Sequence, residues 1–182
     1  MSTTSTASIF ASPTGSSGTV SNPTYLSPED EANLLCTDHV VVRFGGGRYG
    51  IAAPDVAEVC AVPVLTRVPG APEWMTGIGN WRGHVLPVVD IRPLLGISIT
   101  PLPSSARVVV VTVDDLEVGL IAEAVTGLVA VPDDCEPPPL SVSAGTADLL
   151  RGVAEGGVAG PIGVLSTPAI IALSHRLRRS QH

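Results

Sequence analysis

Four histidines, three cysteines and two pairs of adjacent aspartates are the residues of this chain best suited to chemistry. Histidine, cysteine and carboxylate side chains hold metals only when they cluster at ligand spacing. His39, His84, His175 and His182 have no such neighbours, and each reads as an isolated surface histidine. Cys36, Cys60 and Cys135 are widely spaced and form no CxxC pair, so neither a zinc ribbon nor a redox motif is indicated. Buried thiols in a reducing compartment are the expectation. A nucleophile needs a base and an orienting group. No GxSxG occurs, and Cys60, at the end of a valine-rich stretch, reads as core. Asp114-Asp115 and Asp133-Asp134 fall in predicted turns, where aspartate is favoured by its backbone preferences. Gly45-Gly46-Gly47-Arg48 lacks the Gly-Lys-Ser/Thr ending of a phosphate loop and lies between two strands. No catalytic residue, metal site or cofactor is expected, and the chain reads as a non-enzyme.

The run Gly77-Ile78-Gly79-Asn80-Trp81-Arg82-Gly83-His84-Val85-Leu86-Pro87-Val88-Val89-Asp90-Ile91 stands out. It combines a polar turn with a hydrophobic strand that ends in an acid. The rigid fork of Arg82 suits two roles: holding the turn through backbone carbonyls, or meeting a carboxylate of a partner. Both remain open. A ligand sensor or small enzyme would need Arg82, His84 and Asp90 to converge in one pocket. His84 and Asp90 share a face of the strand but lie about 20 Å apart at ~3.3 Å per residue, too far for a dyad.

The elements that must position this run are β-rich. The chain has 182 residues, 45% hydrophobic but only 3% aromatic, with 19 Gly and 17 Pro. Valine-rich segments divided by Gly and Pro read as short strands of a sandwich or barrel. The net charge is −7, with no lysine and no basic face, which disfavours nucleic acid as a partner. Ser2 to Asn22 is mostly Ser, Thr, Gly, Pro and Ala, so residues 1–36 are expected to be a disordered tail, with a short helical turn between Pro28 and Leu35. Residues 173–182, with Arg176, Arg178 and Arg179, read as a basic C-terminal tail. No apolar run reaches the ~18 residues of a membrane span and no secretion signal is visible, so a cytoplasmic protein without membrane insertion is expected.

The chain also repeats itself. An offset of 69 residues lays Val40, Val41 and Val42 on Val109, Val110 and Val111. The glycine turn then falls on Asp114-Asp115, Gly50-Ile51 on Gly119-Leu120, Val56 on Val125, and Ala61-Val62-Pro63 on Ala130-Val131-Pro132. A second echo relates Met75-Thr76-Gly77-Ile78 to Leu150-Arg151-Gly152-Val153, with Pro93 and Pro168 after the following strands. Five strands per copy are too few for an open sheet to bury both faces, and closure into a small barrel removes the edges. The expected fold is all-β: two packed five-stranded barrel subdomains, at about 37–100 and 101–172, with a groove between them.

Thr66-Arg67-Val68-Pro69-Gly70-Ala71-Pro72, Gly77-Ile78-Gly79-Asn80-Trp81-Arg82-Gly83 and Val85-Leu86-Pro87-Val88-Val89-Asp90-Ile91, in this order, resemble the CheW-like domain of bacterial chemosensory adaptors. Tyr49-Gly50-Ile51 and Val56-Ala57-Glu58-Val59 are similar to its first hairpin and bend, and Gly119 to Val125 to its second-half signature. The resemblance covers about residues 38–172 and implies two SH3-like barrels and no enzyme activity. It implies an adaptor coupling chemoreceptors to the regulatory domain of a CheA histidine kinase, associated with membrane-bound receptor arrays. Hydrophobic strand faces would meet the kinase, and the groove would meet the receptor's cytoplasmic tip. Carried over by position, the receptor-side residues are Val56, Glu58, Gly77 and Arg82, while Asn80 and Gly83 shape the turn. The chain departs from the family at Gly79, where an apolar residue is usual, at Trp81, where a small aliphatic is common, and at His84. Arg67-Val68-Pro69-Gly70 followed by Trp74 resembles the PilI-type branch, which serves type IV pilus twitching or phototaxis. A paralogue binding a single partner, without kinase coupling, is the alternative reading.

Overall fold

The computed structural model describes residues 36–138, 148–155 and 159–179; the expected N-terminal tail, up to residue 35, lies outside them. Ten strands form two five-stranded sheets. They are β1 (Cys36–Phe44), β2 (Gly47–Ala52), β3 (Val56–Ala61), β4 (Met75–Trp81), β5 (His84–Val89), β6 (Arg107–Val113), β7 (Leu116–Ala122), β8 (Ala124–Pro132), β9 (Leu150–Ala154) and β10 (Ile162–Leu165). The mostly β expectation holds, with one addition. Thr167–Arg179 forms helix α1, which packs on β6 and β7, so much of the expected basic tail is helical.

One sheet runs β8-β1-β2-β10-β9 and the other β3-β6-β7-β5-β4. The repeat read from sequence maps each strand of one sheet onto a strand of the other. The register shift that skips Ala57 between β3 and β6 recurs at Thr126 between β8 and β1, 69 residues later. The shift that skips Thr76 recurs at Arg151. Each sheet is closed by a single bridge from the chain that follows its outer strand: Thr66 to Ile78, and Glu136 to Val153. Both backbone hydrogen bonds of each bridge fall between 2.7 and 2.9 Å.

The subdomain boundary expected near residue 100 is not a boundary between the sheets. Hairpin β1–β2 joins β8, β9 and β10, while hairpin β6–β7 joins β3, β4 and β5, so the two copies exchange hairpins. The turn at Ala53–Asp55, with Pro54 inside it, carries the chain from one sheet to the other. Parallel pairing needs a long crossover, and the two parallel contacts, β5 with β7 and β10 with β2, are made across this exchange.

The exchange explains the unbroken valine runs. On β6, Val109 and Val111 enter the core shared by both sheets, with Val42, Phe44, Ile51, Val89 and Leu120. Val108 and Val110 point the other way, into the interior of their own sheet with Leu86, Val88 and Ile121. A strand buried on both faces loses the apolar–polar alternation. A smaller cluster of Val131, Ala154 and Val164 fills the other sheet.

Candidate functional site

The β4–β5 hairpin turns on Arg82 and Gly83, with φ of 51° and 86°. Two residues of positive φ make the hairpin turn whose twist suits the strands, and Asn-Gly is its preferred sequence. Arginine at the first position adopts a left-handed conformation that costs an L-residue about 1 kcal/mol. Within the turn, Asn80 Oδ1 accepts from Gly83 N at 3.1 Å.

The Arg82 side chain does not hold the turn through carbonyls. Its Nη2 pairs with Glu58 Oε2 at 2.9 Å, across to β3. The same carboxylate oxygen accepts from Trp81 Nε1 at 2.7 Å. The guanidinium carbon lies 4.9 Å from the Trp81 ring centroid, within cation–π range. Arg82 remains 66% exposed, so a charged group is held at the surface rather than neutralised in the interior.

Two of the four receptor-side candidates, Glu58 and Arg82, thus meet, and the other two stand apart from them. Val56 is half-buried against the shared core, opposite Val111. Gly77 is buried, and a Cβ there would lie 2.5 Å from the Thr66 carbonyl oxygen. Its repeat counterpart Gly152 would meet the Glu136 carbonyl at the same distance. Both glycines therefore make room for the closing bridges. Gly79 has a similar reason: a side chain would press on Pro63 Cγ at 2.9 Å.

Arg82, His84 and Asp90 do not converge. His84 lines a recess with Val85, Pro87, Leu116 and Glu117, whereas Asp90 lines a different one with Arg67, Glu73 and Ile99. Asp90 is buried and engages Arg92, which sequence reasoning passed over. Arg92 Nη2 and Nε donate to Asp90 Oδ2 and Oδ1 at 2.7 and 3.0 Å, and Nη1 donates to Glu123 Oε1 at 3.0 Å. Glu123 Oε2 also accepts from Gly45 N at 3.0 Å. The cluster therefore ties the end of β5 to hairpin β1–β2 of the other sheet. The hydrogen bond from Arg92 to Asp90 raises its pKa further, against the opposing effect of burial. The available signal was an arginine inside the apolar run 85–95, which burial obliges to find acids.

His39 and the three cysteines belong to no metal-holding cluster among the described residues. His39 is not at the surface but 2% exposed, with Nδ1 donating to the Thr37 carbonyl at 2.8 Å. The three cysteines are half-buried rather than buried, and none forms a disulfide. Desolvation, and then the charge of Glu58, push the Cys60 thiol up, away from nucleophilic character.

A family model for the CheW-like domain matches residues 38–174. The chain belongs to the CheW-like domain family. It is 39% identical to Protein PilI of Pseudomonas aeruginosa over 49% of this chain and 51% of that one. With Protein FrzA of Myxococcus xanthus it shares 33% identity over 63% of this chain and 72% of the relative. Chemotaxis protein CheW of Bacillus subtilis is 29% identical over 50% of this chain and 59% of that one. The matches to PilI and to this CheW thus span less than two thirds of those proteins. Among solved structures, the scaffolding protein TtCheW of Thermoanaerobacter tengcongensis superposes with a TM-score of 0.63 at 29% identity, over 72% of this chain and 84% of that one. The likeness to PilI supports the PilI-type resemblance of the sequence. Some of the family members that it matches carry chemotaxis or scaffold names.

Proposed function

We propose that this protein is a non-enzymatic adaptor that couples chemoreceptors to a CheA-type histidine kinase, in chemotaxis or in pilus-based twitching or phototaxis signalling. The observation that carries the reading is the exposed Arg82 held by Glu58, a surface charge built to meet an acidic partner. The second copy has Gly127 where the first has Glu58, so this charged site belongs to one half. The receptor's cytoplasmic tip is its partner in this reading. The kinase regulatory domain is assigned to apolar strand positions, Val59 on β3 and its repeat counterpart Leu128 on β8, which are 41% and 64% exposed. Among the described residues no helix is long and apolar enough to cross a membrane, in keeping with a protein that reaches the membrane through receptors at the cytoplasmic face.

Co-purification from the native cell tests this. Tagged protein is expected to recover a CheA-like kinase and a chemoreceptor. Arg82→Ala should lose the receptor first, and Leu128→Asp the kinase. Recovery of neither from wild type would sink the proposal.

A further inference from the structure

Glu58, Trp81 and Arg82 form a closed triangle in which every member touches the other two. Arg82 and Trp81 both contact the same oxygen, Glu58 Oε2. Trp81 is the anchored corner, packed against the cluster of Leu86, Val88, Val108, Val110 and Ile121. We propose that Trp81 is a specificity-determining positioning residue, which fixes Glu58 and Arg82 so that the surface presents an ordered guanidinium to a carboxylate-bearing partner segment. This rests on the adaptor reading above and names what sets the charge preference of its receptor-side site.

The physical case has three parts. A carboxylate and a guanidinium left alone favour the two-pronged arrangement, which consumes two donors of the arginine. Here the indole N–H takes a share of Oε2, and the ion pair is made through a single nitrogen of Arg82. Nε and Nη1 of Arg82 have no hydrogen bond to any described residue and, in a side chain 66% exposed, are open to an acceptor from outside. The charge of Glu58 is already shared by two donors on one oxygen, which weakens its pull on a partner's cation. The ring then restrains the guanidinium by cation–π attraction. A side chain ordered before binding loses less freedom on binding. A small aliphatic at this position supplies neither the N–H nor the π face.

Two variants separate these contributions: Trp81→Phe keeps a ring and loses the N–H, and Trp81→Leu loses both. In the free full chain, 15N relaxation at Arg82 Nε should show an ordered side chain in wild type and a mobile one in Trp81→Leu. Calorimetric titration with a soluble cytoplasmic hairpin fragment of a chemoreceptor from the same genome should give about threefold weaker binding for Trp81→Phe and about tenfold for Trp81→Leu, the scale of one hydrogen bond plus one cation–π contact. Adding Trp81→Leu to Arg82→Ala should cost little more, because Trp81 acts through Arg82. Should Trp81→Leu fail to fold, Trp81→Phe carries the test with its ring in place. Wild-type binding matched by both variants, or an Arg82 Nε equally ordered in all three, overturns the role of Trp81 and leaves the adaptor reading standing. A wild type that binds no receptor fragment overturns the receptor side of that reading and this proposal with it.

Discussion

At the scale of single residues, two arginines of opposite character organise the chain. Arg82 stands at the surface, and its ion pair with Glu58 belongs to the exposed class that contributes only ~0–1 kcal/mol to stability. Arg82→Ala should therefore leave the urea midpoint nearly unchanged while binding falls. Arg92 is 2% exposed and answers two acids. Its removal strands buried Asp90, and Arg92→Ala should destabilise the fold by roughly 3–5 kcal/mol, measured by urea unfolding. Sequence reading reached the first arginine and missed the second. A turn with Asn, Arg and Gly is a local pattern, whereas Arg92 meets Glu123 from 31 residues away, through an exchange of hairpins that no local pattern encodes. Cys60 gives a pH test. Its raised thiol pKa means that the folded form holds its proton where the unfolded chain has begun to release it. The stability from this group is therefore complete below the unfolded thiol pKa and is lost as pH rises through the higher folded value. Alkylation of Cys60, followed by peptide mass spectrometry, should lag behind that of a free thiol at mildly alkaline pH. Glu58→Gln should narrow the lag without abolishing it, since desolvation is the larger cause.

At the scale of elements, the closing bridges govern where glycine is required. Gly77→Ala and Gly152→Ala each drive a Cβ to 2.5 Å from a carbonyl oxygen. Each should lower stability by about 1–3 kcal/mol, the range of overpacking. Gly83 meets nothing within 4 Å but has positive φ, so Gly83→Asn, which tolerates that conformation, should cost much less. Thermal unfolding of the three variants compares them directly. The sequence repeat identified the equivalence of Gly77 and Gly152 correctly, because the echo of four residues spans the same register shift in both copies. It did not explain Gly77. The Thr66 carbonyl that excludes a side chain lies in a connection with no strand signal. Helix α1 escaped for a similar reason: Arg176, Arg178 and Arg179 suggested a solvated tail, while Ile170 and Ile171 anchor the helix in the shared core, a long-range contact that no local pattern signals.

At the scale of the whole molecule, the count of two barrels was legible and the partition of the chain between them was not. Both partitions give two five-stranded sheets with the same valine runs, and only the long-range pairings distinguish them. The shared core includes residues from both sheets, so unfolding should follow one cooperative transition. A fragment spanning residues 37–100 holds β1 to β5 but lacks β8 to pair with β1 and β6 to pair with β3. It should show no dispersed amide spectrum alone, and should gain one when mixed with a fragment spanning 101–179.

The exchange of hairpins also sets an order of assembly at the ribosome. Strands β3 to β7 are contiguous in the chain, so their sheet is complete once residue 122 has emerged. Hairpin β1–β2 is made first, yet its outer partner β8 begins only at Ala124, roughly 70 residues after β2 ends. At ~5–20 residues per second that is a delay of roughly 4–14 s, against the ~1–10 μs in which a hairpin forms. The first strands to be synthesised thus wait while a whole sheet is made after them, and the valine-lined edge of β1 stays open to nascent-chain chaperones, or to neighbouring chains on the same messenger, until β8 emerges.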